Sequence, residues 1–155
     1  MSDFKHRFIN REDISFTGMR DTAMSFLPND RNVLDKLYND LKRGTGILDD
    51  EAHLNMYLRS FGKMHKAKLD EAFAKIPDTA RFFSDDVEIY DWGCGQGTAT
   101  ICLLDYLASK NIHHNITEVN LIEPSVAATR RAKEIVSCFD NNITINVINK
   151  VFDCK

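Results

Sequence analysis

Residues 87–97 read Val-Glu-Ile-Tyr-Asp-Trp-Gly-Cys-Gly-Gln-Gly, an extended run that stops at an acid, Asp91, and then alternates glycine three times. Such a stretch can seat a nucleotide-like or anionic ligand. Glycines at 93, 95 and 97 remove three Cβ atoms where strand gives way to helix, so the backbone can take positive φ and approach a ligand closely. The helix that follows opens with unpaired N–H groups and a partial positive charge, which favour an anionic group. Cys94 lies inside this turn, and a nearby helix N-terminus can lower a thiol pKa. The small size of cysteine is the simpler reason for its presence. Trp92 suits either the flank of a ligand pocket or packing beside the strand end.

The elements that must position this turn are readable on both sides of it. Val87, Ile89 and Tyr90 suit a buried parallel strand over 87–91, and Ile101, Leu103, Leu104, Tyr106 and Leu107 give a helix over 98–109 its apolar side. A polar connection, 111–115, leads to a second strand at Thr117–Ile122. A second helix follows at Ser125–Ser137 with Val126, Ala127, Ile135 and Val136 inward, and a third strand at Thr144–Asn149. A β-α-β-α-β series with right-handed crossovers predicts a parallel sheet with helices on its faces.

The N-terminal half has a different rhythm. Val33, Leu34, Leu37, Tyr38 and Leu41 recur at helical spacing between Asp30 and Lys42; Pro28 and Asp30 can start that helix, and Gly44 and Gly46 can end it. A longer helix spans Asp50–Lys75, its apolar side built from Leu54, Tyr57, Leu58, Phe61, Met64, Leu69 and Phe73. Gly62 weakens its middle by up to about 1 kcal/mol relative to alanine, and Pro77 closes it. Asp78 is expected to cap a short turn through Phe83, and the first ten residues to be loose. The fold class is thus α/β: an incomplete doubly wound parallel sheet of about three strands, preceded by an α-helical segment. Residues 1–84 read as a helical cap and 85–155 as the sheet domain.

At 155 residues and 43% hydrophobic, the chain can bury one modest core. Its net charge of −3, without any long block of like charges, argues for neither a nucleic-acid nor a membrane-surface partner. Lys63, Lys66 and Lys68, and again Arg130, Arg131 and Lys133, gather in helix-like segments and read as solvated faces. No apolar stretch approaches the roughly 18 residues of a membrane span, and the charged N-terminus has no signal core. A cytoplasmic location, with no membrane partner, is the expectation. Cys94, Cys102, Cys138 and Cys154 form no Cys-x-x-Cys pattern and read as reduced thiols. His65 reads as a solvated or core-edge histidine, and His113-His114 has no third ligand at metal spacing, so no metal site is expected.

Asp91-Trp92-Gly93-Cys94-Gly95-Gln96-Gly97 resembles the first motif of class I S-adenosylmethionine-dependent methyltransferases, an acid followed by x-Gly-x-Gly-x-Gly. Leu121-Ile122-Glu123-Pro124-Ser125 resembles their second motif, with its acid at the end of the second strand. The resemblance covers roughly residues 87–153 and implies a Rossmann-like domain that binds adenosylmethionine at the carboxyl ends of its strands. On this reading Asp91 holds the ammonium, directly or through water. The 92–97 turn passes close to the methionine portion, and Glu123, followed by Pro124, accepts hydrogen bonds from both ribose hydroxyls. Asn149 or Asp153 would meet the adenine. Methyl transfer needs chiefly an acceptor in line with the S–CH₃ bond, so no catalytic base is required in this half.

The resemblance leaves protein, RNA and small molecules open as methyl acceptors, and implies a substrate-contacting role for the helical cap by analogy. The family normally has seven strands, and this sequence supplies three. The expectation is therefore a methyltransferase truncated after its third strand. The alternative is a non-catalytic or split-enzyme binding module, whose open sheet edge a second copy or a complementing chain would cover. NAD-type binding is a lesser alternative. Its Gly-x-Gly-x-x-Gly spacing would put the third glycine where Thr98 stands, and Ala99 does not restore the register.

Overall fold

The computed structural model describes residues 1–151 and contains one parallel sheet of strand order β1-β2-β3. β1 spans Asp86–Trp92, β2 Asn115–Ile122 and β3 Thr144–Ile148. They are joined by α6, Thr98–Ser109, and α7, Val126–Phe139. Ahead of them come α1 (Asp3–Ile9), α2 (Phe16–Ser25), α3 (Arg31–Asp40), a short 3-10 turn at Lys42–Gly44, α4 (Glu51–Phe73) and α5 (Thr79–Phe82). The α/β class, the three parallel strands and the helical segment before them are as the sequence predicts.

Among the described residues, helices cover one face of the sheet. The chain steps across it twice in the same direction, and two crossovers of one hand put both connecting helices on the same side. Side chains alternate along each strand. Val87, Ile89, Val119, Leu121, Ile145 and Val147 therefore join the core, while Tyr90 and Trp92 stand 54% and 65% exposed on the other face.

The first ten residues are ordered rather than loose. The Ser2 hydroxyl accepts from the Lys5 amide at 3.2 Å to cap α1, and Phe4 and Phe8, one turn apart, bury their rings in the core. α2, which the sequence reading did not mark, starts at Ser15, whose hydroxyl accepts from the Gly18 amide at 3.0 Å. α4 packs against α6, α2 and α3. Gly62 lies where α4 meets α2. A Cβ there would stand 3.4 Å from the Phe16 ring, so the residue that weakens the helix is also what lets α2 approach it. One buried cluster runs from Phe4, Phe8, Phe16, Met19 and Leu58 through Ile101, Leu104 and Leu107 to Val119, Leu121, Ile135 and Val136. The helical segment and the sheet thus share a core.

Three local expectations are corrected. Asp78 occupies the N-cap position of α5 in a left-handed conformation, and its side chain makes no capping bond. Val126 is 66% exposed, because the inward stripe of α7 runs through Ala128, Arg131, Ala132 and Ile135 and misses its first turn. The basic clusters are not uniformly solvated: Arg131 is buried, and Lys66 pairs with Asp70 of its own helix and bridges to Asp105 of α6. No helix among the described residues is long and apolar enough to cross a membrane.

Candidate cofactor-binding site

A cavity of about 480 Å³ opens at the carboxyl ends of β1 and β2. Its sheet side is formed by Asp91, Trp92, Gly93, Cys94, Gly95, Gln96 and Glu123 with the first residues of α6, Thr98 and Ala99. Its helical side is formed by Tyr57, His65, Lys68 and Leu69 of α4 and by Gly44, Gly46 and Leu48 of the α3–α4 connection. The volume falls within the range of small-molecule sites.

Asp91 is fixed by the helix it precedes. Its Oδ2 accepts from the Thr100 hydroxyl at 2.7 Å and from the Thr100 amide at 3.3 Å. Burial pushes its pKa up, while those two bonds pull it down. A carboxylate in that condition gains from any cation placed beside it. Glu123 follows the end of β2 and braces the turn: its Oε2 accepts from the Gly95 amide at 3.2 Å and its Oε1 from the Ser125 amide at 3.1 Å. Ser125 in turn caps α7, accepting from the Ala128 amide at 3.1 Å.

The glycine turn is pinned to β2 by the amides of Gly93 and Cys94, which donate to the Ile122 carbonyl at 2.8 and 3.3 Å. Gly95 and Gly97 both have positive φ, +52° and +78°, but their surroundings differ. A Cβ on Gly95 would meet nothing within 4 Å, so that position opens onto the cavity. A Cβ on Gly97 would stand 3.0 Å from the Ala132 Cβ, so that glycine seats the start of α6 against α7. Gly97→Ala is expected to cost about 3 kcal/mol, combining left-handed strain with overpacking, whereas Gly95→Ala costs about 1 kcal/mol from strain alone. Urea denaturation of the two variants checks that order, and equal losses would contradict it.

Cys94 departs from the helix-terminus expectation. Burial, and then the neighbouring Asp91 and Glu123, push its thiol up to about 12, so it is a small packed residue and no nucleophile. Cys94, Cys102 and Cys138 are free thiols. The Gln96 side chain turns away into the molecule, donating to the Leu54 carbonyl at 2.9 Å and accepting from Arg131 Nη1 at 3.3 Å. Arg131 also donates to Asn55 Oδ1 at 2.7 Å, pairs with Glu51, and lies 3.9 Å over the Phe4 ring. This buried network fastens the turn to α4, α7 and α1.

Pro124 and Asn149 do not line the cavity. The Asn149 amide donates to the Glu123 carbonyl at 2.9 Å and to the Thr129 hydroxyl at 3.0 Å, tying the end of β3 to β2. Asp153 lies outside the described residues. The sequence reading missed the opposing wall. Tyr57 and His65 share a hydrogen bond of 3.0 Å, their rings nearly parallel with centroids 5.8 Å apart. Tyr57, Phe61, His65 and Lys68 follow helical spacing, a signal that could have marked one face of α4 as a unit.

No protein-family model matches the chain, and neither a curated protein nor a solved structure matches it. The chemistry of the site therefore rests on its own geometry.

Proposed function

We propose that the cavity binds S-adenosylmethionine and that the chain belongs to a methyltransferase. The observation that carries this reading is the placement of two acids, Asp91 and Glu123, at the carboxyl ends of adjacent parallel strands, on either side of a turn whose backbone opens onto the same cavity. Adenosylmethionine presents an ammonium and a sulfonium at one end and a ribose diol towards the other. Asp91 suits the ammonium, and Glu123 suits the two hydroxyls. A dinucleotide fits less well. Its pyrophosphate would bring two negative charges to the start of α6, beside the Asp91 carboxylate that already takes the Thr100 amide.

The test is a comparison of S-adenosylhomocysteine with NAD by thermal shift. At a hundredfold excess over Kd, a specific ligand adds about 2.7 kcal/mol, or roughly 5–10 °C for a chain of this size. A shift of that order with S-adenosylhomocysteine and none with NAD is expected. No shift at millimolar S-adenosylhomocysteine, or an equal shift with NAD, would overturn the reading.

A second reading, a binding or assembly module that keeps the cofactor seat, is favoured by the uncovered sheet face, where Tyr90, Trp92 and Ile148 are exposed. It predicts concentration-dependent sedimentation and melting, and a monomer at all concentrations would count against association of the chain with itself.

A further inference from the structure

The cavity wall opposite the glycine turn belongs to α4, and it carries a hydrogen-bonded pair that the cofactor leaves unused. Tyr57 and His65 stand about two helical turns apart, and their side chains close that gap, with the phenol oxygen 3.0 Å from His65 Nε2. Both residues line the cavity. The Tyr57 ring also meets Phe61, at 5.2 Å between centroids, and Gly44, where a Cβ would lie 3.5 Å from the ring. The pair is thus held in place before any ligand arrives.

Its charge state is equally defined. Burial pushes the Tyr57 phenol above its ordinary value, while burial and then the Lys68 ammonium hold His65 below the usual imidazole range. At neutral pH both rings are therefore uncharged. Asp91 and Glu123 face them from the strand ends, and Lys68 shares their helix. The α3–α4 connection and the first turn of α6 add no charge to the described lining. Lys68 already holds its proton, and the cofactor engages the two carboxylates. Among the described lining residues, the Tyr57–His65 pair is what remains to take up a proton near neutral pH.

Stereochemistry aims the transferable group at this pair. A sulfonium bears three substituents. When Asp91 holds the amino-acid arm and Glu123 the ribose arm on the sheet side, the third substituent, the methyl, points away from that side and toward α4. An acceptor in line with the S–CH₃ bond then lies against the α4 wall.

We infer that Tyr57 receives the proton of the methyl acceptor while His65 takes the proton of Tyr57, so that the site suits neutral acceptors whose reacting nitrogen or oxygen carries a hydrogen. The acceptor lone pair forms the bond to the methyl carbon as the C–S bond breaks, and the electron pair of that bond stays on sulfur. The acceptor proton passes to the Tyr57 oxygen and the Tyr57 proton to His65 Nε2, and the resulting imidazolium returns a proton to water. Tyr57 is the catalytic residue of this step, and His65 acts through it as a positioning residue. The assignment rests on the cofactor reading above.

The experiment uses sinefungin, an adenosylmethionine analogue in which a carbon bearing an ammonium replaces the methylated sulfur. It places N–H donors where the methyl would stand; S-adenosylhomocysteine, which has no group there, is the control. In isothermal titration, Tyr57→Phe is expected to bind sinefungin about tenfold more weakly than the wild type and S-adenosylhomocysteine unchanged. Circular dichroism confirms that the variant is folded. The His65 imidazole is followed by NMR across pH in the wild type, its signal identified by its loss in His65→Gln. It is expected to titrate at lower pH with sinefungin bound than with S-adenosylhomocysteine, because the added ammonium stands one phenol away. Unchanged sinefungin affinity in Tyr57→Phe would overturn the assignment. So would an equal loss for both ligands, which marks a structural role, or a His65 titration identical in the two complexes. Wild-type protein that binds neither ligand would instead remove the cofactor reading itself, a failure visible before any variant is measured.

Discussion

Asp91→Asn is expected to weaken S-adenosylhomocysteine binding by about 10–100-fold while leaving the unliganded protein at least as stable as the wild type. A hydrogen bond to a charged group contributes about 1.5–3 kcal/mol, and each 1.4 kcal/mol is a factor of ten in Kd. The stability half of the expectation follows from the direction of the Asp91 shift. Its pKa in the folded chain lies above the ordinary 3.8, because burial penalises the ionised form more than the two Thr100 bonds favour it. The ionised carboxylate thus costs stability above its folded pKa, and protonation relieves that cost as pH falls through it. Asparagine has no charge to desolvate and can still accept from Thr100.

The same group must be ionised to hold an ammonium. Ligand affinity therefore declines on acidification, starting at a higher pH than an ordinary aspartate would set, over the window in which the contribution of Asp91 to stability improves. Titration calorimetry and thermal melts between neutral and mildly acidic pH read both trends. If Asp91→Asn binds as tightly as the wild type, Asp91 has no place in the site.

Arg131→Ala is expected to cost about 3 kcal/mol of stability, and Arg131→Met clearly less. Removing one member of a buried charged network leaves the others unpaired, at about 3–5 kcal/mol. The lower end applies because the Glu51 side chain is 45% exposed and water can take it over. The Asn55 and Gln96 side chains have no such recourse, being 4% and 1% exposed. Methionine restores apolar volume over the Phe4 ring but not the bonds. Because Gln96 belongs to the glycine turn, both variants should also weaken ligand binding. Urea denaturation gives the stabilities, and a loss below about 1 kcal/mol in Arg131→Ala would mean that the network contributes little.

The parts of the molecule legible in the sequence are those set by local pattern. The apolar spacing of α6 places it at 98–109, where it stands. Asp50 before a long periodic run announces α4, and its carboxylate does accept from the His53 amide at 2.9 Å. The strand ends are equally local; it is the resemblance that pairs Asp91 with Glu123, and both line one cavity. What escaped reading depends on partners distant in sequence. Arg131 looks like any surface arginine until Glu51 and Asn55, nearly eighty residues earlier, are brought against it. Lys68 is one of three similar lysines until the packing of α4 on α6 sends Lys66 to Asp105 and leaves Lys68 at the cavity. α1, only seven residues long, has too few turns to display a period, and its two phenylalanines acquire meaning only beneath the last helix.

That docking of α1 bears on the order in which the molecule can assemble. Ser2 bonds to Glu134, and Lys5 donates to Ser137 at 3.1 Å, each across 132 positions of chain. α1 precedes every other described helix and can meet α2 at once, yet the part of its seat on α7 does not exist until that helix has formed. Phe8 meets Phe139 only then, and the contact closes a long loop of chain. The Arg131 guanidinium remains open to water on the Phe4 side until then. The first of the described helices is thus among the last to be fully seated, and its contact with α7 completes the burial of the cation that fastens the glycine turn.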